Sequence, residues 1–183
     1  MSQVLKRRLL ALCLAAFAGG VARAADCAGT HQIDRCLVGT WKMTANGMER
    51  WMREHIHKFH TTTVSQTNNT ITLRADGTFA TGASDVTVKG TNDHGVTGTG
   101  HMTAQASGQW SAADGKFNLC SATSSMNGTS TVEKDGHAVA TVPLHPQVPP
   151  VSSTPYTCAG NTFTTTTHIR SDSVESIYTK ISP

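Results

Sequence analysis

His55, His57 and His60 form the densest group of metal-ligating side chains in the sequence. On an extended strand, His55 and His57 would share a face and could take zinc. The residues around them have a helical period instead, and on a helix these two side chains point about 200° apart. Only His57 and His60 then remain neighbours, beside Arg53 and Lys58, whose charges oppose a divalent ion. No metal and no cofactor are therefore expected. His55 belongs to a packed face, and the other two are exposed, pH-sensitive side chains. Nucleophilic catalysis has no visible apparatus, since there is no Gly-x-Ser-x-Gly elbow. Asp76, Asp114, Asp135 and Asp172 sit in turn-like settings that use Asp for backbone reasons. Gly90, Gly95, Gly98 and Gly100 lack the spacing and the following helix of a phosphate loop, and read as a flexible turn over 90–100. No catalytic residue is assigned. The enzyme alternative, a hydrolase or isomerase, rests on Ser, Thr and His residues that would meet only in space.

Lys6, Arg7 and Arg8 precede an apolar run from Leu9 to Val21, and Ala22-Arg23-Ala24 follows it. This pattern predicts a secretory signal over 1–24, a mature domain over 25–183, and a periplasmic or extracellular location. The run is too short to remain as a transmembrane helix. Bulky Leu12 before Cys13 is unlike a lipid-anchor signal. Without Lys6, Arg7, Arg8 and Arg23 the chain carries 11 basic against 12 acidic side chains, a net charge of −1. A nucleic-acid partner is therefore not expected. Cys27, Cys36, Cys120 and Cys158 remain, an even number that reads as two disulfides in an oxidising compartment. Short loops close most easily, which favours Cys27–Cys36 with Cys120–Cys158, the other two connectivities staying open.

Asp76-Gly77, Asp114-Gly115, Asp135-Gly136 and Gly160-Asn161 mark hairpin turns between runs that alternate apolar with polar residues. Strands are expected near 39–45, 61–67, 69–75, 78–82, 84–89, 97–104, 107–112, 116–121, 127–134, 137–143, 155–158, 161–169 and 173–181, with some merging. Met48, Trp51, Met52, His55, Ile56 and Phe59 recur at helical spacing and predict a helix over about 47–60. Asn46 is its N-cap, with Glu49 as capping-box partner. Five prolines, Pro143, Pro146, Pro149, Pro150 and Pro155, make 143–155 read as a semi-rigid loop. Asn68-Asn69-Thr70 and Asn127-Gly128-Thr129 qualify as sequons and mark surface turns.

Gly39-Thr40-Trp41 opens the first strand, and Tyr178-Thr179-Lys180-Ile181 closes the last. The pair resembles the lipocalin-like group of the calycin superfamily. Ala75-Asp76-Gly77-Thr78-Phe79 and the hairpin from Gly108-Gln109-Trp110 to Asp114-Gly115-Lys116 are similar to segments of small exported bacterial members. The resemblance implies a mainly β fold, a single antiparallel up-and-down barrel of about eight strands. Gly39, Trp41 and Lys180 would close one end, with the Lys180 cation on the Trp41 ring. It also places the helix between the first two strands, over the open mouth, where Met48, Trp51, Met52, Ile56 and Phe59 could meet a ligand as a lid. Here Lys180 stands where the family usually has Arg, and 122–157 is longer than a plain barrel needs.

The function implied is binding of a small, partly apolar molecule in the lumen by an exported, non-catalytic protein. The alternative is a protein-binding barrel, an inhibitor of an exported enzyme or an envelope interaction module, with 143–155 or the rim as its contact surface. Aromatic residues are only 5% of the chain, so Thr, Ala and Gly would leave room in the lumen but make it partly polar.

Overall fold

A computed structural model describes residues 32–55, 61–145 and 151–183. Its elements in chain order are β1 (Gly39–Ala45), α1 (Gly47–His55), β2 (Thr61–Thr67), β3 (Thr70–Leu73), β4 (Thr78–Thr81), β5 (Ser84–Thr91), β6 (Val96–Ala113), β7 (Lys116–Lys134), β8 (His137–Leu144), β9 (Val151–Ala159), β10 (Thr162–Ile169) and β11 (Asp172–Ser182). Every strand pairing is antiparallel. Eight strands close a ring in the order β1, β3, β4, β6, β7, β9, β10, β11 and back to β1. Closure removes the free edges these Thr-rich strands would otherwise expose.

The remaining three strands belong to a second feature. β6 and β7 are 18 and 19 residues long and run well past the rim of the barrel. Beyond it, β5 pairs with β6, β2 pairs with β5, and β8 pairs with β7. The order β2-β5-β6-β7-β8 is a five-stranded paddle standing on one wall of the barrel. A register shift between Ser107 and Gly108 marks the handover. Gly108 is required there, because a side chain on it would strike the Cys120 carbonyl. The bulge puts an extra residue into β7 and bends the hairpin, which is why the separate runs 97–104 and 107–112 form one strand.

The β6–β7 and β7–β8 hairpins turn on Asp114-Gly115 and Asp135-Gly136, all four residues having positive φ. Asp supplies the first such position at low cost and Gly the second. Three expectations need correction. Residues 143–155 are not one loop: β8 extends to Leu144 and β9 starts at Val151, with 146–150, and so Pro146, Pro149 and Pro150, outside the described residues. Pro143 is tolerated because β8 is an edge strand. Pro155 lies where β9 pairs with β7 alone, before its pairing with β10 starts at Tyr156. Residues 90–100 are not one flexible turn either, since Gly90 pairs with Gly98 and Val88 with Gly100. Only 92–95 turn, and there the Asn92 side chain accepts hydrogen bonds from the His94 and Val96 amides at 3.0 Å each. The third correction, the disulfide pairing, depends on how the lower end of the barrel is built.

Candidate functional site

The lower end of the barrel is solid. Trp41 is fully buried on β1, and its indole N–H donates to the Leu37 carbonyl at 2.7 Å. Lys180 of β11 holds its ammonium 4.7 Å from the centre of the Trp41 ring. The same group donates to the carbonyls of Val38 at 2.8 Å and Cys36 at 3.3 Å. Gly39 allows this crowding: its φ is +137°, and a Cβ would come within 2.7 Å of the Ser182 carbonyl oxygen. Leu37, Leu73, Phe79, Trp110 and Phe163 pack around the indole, Phe163 edge-on at 4.8 Å.

The segment before β1 is strapped across this end. Cys36 is bonded to Cys158 of β9, not to Cys27, which overturns the favoured pairing. Cys120 is also disulfide-bonded, so neither Cys36 nor Cys158 is its partner. Cys27 lies outside the described residues. The short-loop rule failed because it concerns the unfolded chain, whereas barrel closure carries the pre-strand turn directly beneath β9. Tyr156 tightens the strap by donating its hydroxyl to Asp34 at 2.8 Å. Desolvation first, then this bond to a carboxylate, pushes the Tyr156 phenol up to about 12.

The upper half is different. Strand alternation turns Phe117 and Leu119 of β7, Ala106 of β6, Phe163 of β10 and Tyr178 of β11 inward, where they border a cavity of about 240 Å3 together with Ile71. Tyr178 stacks on Phe163 with ring centres 4.3 Å apart and planes 2° from parallel. Burial pushes its phenol up to about 12, and a hydrogen bond with Thr165 works in the other direction. The phenol is neutral near pH 7, and Asn69, Thr70, Thr81, Ser84, Gln105 and Ser125 also border the cavity, so its wall is uncharged but mixed. Among the described residues bordering the cavity none carries a charge. Ala104 and Met126, where the paddle begins, are among the residues that border the cavity.

Helix α1 packs on β11 and β2. Asn46 caps it, its side-chain oxygen accepting from the Met48 amide at 3.0 Å while its amide group donates to Gln66 of β2 at 2.9 Å. Trp51 donates its indole N–H to Asp172 at 2.9 Å, and the ring of His55 stacks on Trp51 at 4.8 Å. His55 Nε2 lies 3.1 Å from the same Asp172 oxygen. Trp51 and His55 thus anchor the helix to the β10–β11 hairpin, and Met48, Trp51 and Met52 are not among the residues bordering the cavity. Met52 is half-buried and Met48 is 37% exposed. Ile56 and Phe59 lie outside the described residues, as do His57 and His60. Among the described residues no group of three His, Cys, Asp or Glu could hold a metal, and no helix is long and apolar enough to cross a membrane.

Sequence reasoning missed Phe163, Thr165 and Tyr178 as lumen residues. The available signal was parity, since Tyr178 is two residues from Lys180 on one strand and so shares its inward face. No protein-family model, curated protein or solved structure matches the chain.

Proposed function

We propose that this protein is an exported, lipocalin-like carrier that holds a small, partly apolar molecule in its upper lumen and performs no chemistry on it. The observation that carries this reading is the cavity of about 240 Å3 inside a closed barrel whose other end is packed solid. The lower end shows that these strands can pack a lumen solid, and the upper end leaves open space instead. Ile71, Phe117, Leu119, Met126 and Tyr178 supply apolar surface, and Asn69, Gln105 and the Thr and Ser side chains supply uncharged hydrogen-bonding groups, which suits a partly apolar guest. The leader pattern of 1–24 and the Cys36–Cys158 bond support an oxidising periplasmic or extracellular setting.

Titration with the neutral dye N-phenylnaphthylamine tests the reading. Saturable fluorescence enhancement is expected, reduced at least tenfold by Ala104→Phe, which places a ring in the mouth without touching the packed lower end. A folded protein, verified by circular dichroism, that takes up no dye overturns it. One observation favours a second reading, a protein-binding barrel: edge strand β8 exposes Val139 at 61% and Val142 at 54% and pairs with β7 alone. Such an edge can accept a strand from a partner.

A further inference from the structure

The cavity is smaller than the pockets that enclose drug-sized ligands, which run from roughly 300 Å3 upward. A larger guest must continue outside it, and the fold defines the direction. Ala104 of β6, Ser84 of β5 and Met126 of β7 border the cavity and are also the first residues of one paddle face. Because side chains alternate along a strand, that face continues through every second residue. Met102 lies opposite both Val86 and Gly128, and Val88 lies opposite Gly100 and Val64. Farther out, Val132 faces Gly98 and Ala140, and Val142 faces Ser130.

The reverse face of the same strands carries Thr87, Lys89, Thr99, His101, Asn127 and Thr129. One face of the paddle is therefore mainly aliphatic, with Ser84, Gln66 and Ser130 among its polar members, and the other is polar; among the described residues α1 packs on the β2 margin and no second sheet lies on either face. Glycines at 98, 100 and 128 leave the centre of the aliphatic face without side chains, and Met102 lies down across Gly128, where a Cβ would come within 2.8 Å of its Cγ. Valine ridges flank a shallow trough. From Ala104 to Gly98 it runs about 20 Å along β6, the scale of a long alkyl chain. Nothing charged stands at its start, where an ionic head group would lie.

We propose that the lumen ligand is an uncharged amphiphile whose alkyl chain leaves the cavity over Ala104 and Met126 and lies along the paddle trough over Met102, Val86 and Val88. The inference rests on the carrier reading and specifies its ligand. Ala104 and Met126 belong both to the cavity wall and to the paddle face, so an occupant of one can extend onto the other. A carboxylate or phosphate would have to shed water with no cation to receive it, and is disfavoured.

Binding of 1-monoacylglycerols with 8, 12 and 16 carbons, measured by displacement of N-phenylnaphthylamine, tests the proposal. Contact with one side of the chain should tighten binding roughly twofold per added carbon, on the order of 250-fold between 8 and 16. The double substitution Val86→Thr with Val88→Thr keeps side-chain shape and strand preference; it should remove most of that increment and leave the 8-carbon affinity unchanged. Thr87→Val on the reverse face should change neither. Palmitate should bind at least tenfold more weakly than the 16-carbon glyceride. Equal affinity at 8 and 16 carbons, or an increment that survives the Val86/Val88 change, overturns the trough while leaving the lumen as a binding site. Palmitate binding as tightly as the glyceride overturns the uncharged head group. Failure of every glyceride and of the dye to bind overturns the carrier reading itself and this proposal with it.

Discussion

β6 and β7 pass through two environments, and the residues they turn to the same side differ accordingly. Inside the barrel that side carries Trp110, Ala112, Phe117 and Leu119, packed against Trp41, Phe79 and Phe163. Beyond the bulge it carries Ala104, Met102, Gly100, Gly98, Met126 and Val132, half-buried and, among the described residues, with no second sheet opposite them. Period-two alternation is the same in both; side-chain volume is not. Large rings can fill a lumen from all sides, whereas a single sheet with small and flexible aliphatic residues holds its shape through the backbone ladder and leaves its face free. One continuous hairpin thus supplies the stability of the lower barrel and the accessible surface of the paddle.

If this contrast is right, substitutions should lose their effect with distance from the plug. The largest effect is expected for Trp41→Ala, which removes the indole, its bond to Leu37 and the ring under Lys180. A loss of about 3–5 kcal/mol is expected in urea unfolding. A loss below about 1 kcal/mol would mean that the lower end is not the stability centre.

An alkaline titration probes the middle of the barrel. Tyr178 has a folded-state pKa of about 12 against an ordinary 10.0. Below pH 10 the phenol is protonated in both folded and unfolded chains, so its contribution is fully present. Between pH 10 and 12 the unfolded chain releases the proton first, and stability falls by on the order of 2 kcal/mol. Because Tyr156 is raised to a similar value, Tyr178→Phe should remove about half of the alkaline slope. Tyr156, the only other tyrosine, is also raised to about 12, so phenolate absorbance should stay absent at pH 10 in the folded protein and rise together with unfolding. In a Tyr156→Phe background, absorbance rising at pH 10 without unfolding would place Tyr178 in water.

Lys180→Met tests the cation while keeping the length of the side chain. It removes the contact with Trp41 and both carbonyl bonds, but the apolar stem still covers the ring. The expected loss is about 1–2 kcal/mol, read as a lower urea midpoint with unchanged slope. An unchanged midpoint would show that the ammonium adds nothing to closure.

The strands and turns were legible because Asp-Gly pairs need no tertiary partner to bend the chain and because Thr and Val alternate with the pleat. The plug was legible from Gly39, Trp41 and Lys180 only through resemblance. What escaped was who pairs with whom. Alternation reports which face a residue takes, not which strand lies beside it, so the merging of 97–104 with 107–112, and hence the paddle, could not be read from Ser107-Gly108. Cys36–Cys158 escaped for the same reason, as its residues are 122 apart in sequence and meet only through ring closure. Tyr178 was visible as an aromatic near the C-terminus, but its place in the lumen depends on β11 pairing with both β1 and β10.

The smallest effect is expected at the far margin of the paddle. Val139 is the extra residue at the irregularity where β8 passes from Ala138 to Ala140 opposite Glu133 and Val132, and it is 61% exposed. A charge there meets water rather than an apolar neighbour and needs no desolvation, so Val139→Asp should shift stability by no more than about 0.5 kcal/mol. Charge on an edge strand also discourages association through its free hydrogen-bonding groups. The variant should therefore remain monomeric at concentrations where the parent protein begins to associate, if it does so through β8. A loss of about 2 kcal/mol or more on Val139→Asp would mean that this edge is covered in solution. The paddle would then be a second packed region rather than an open one, and the gradient of stability along β6 and β7 would disappear.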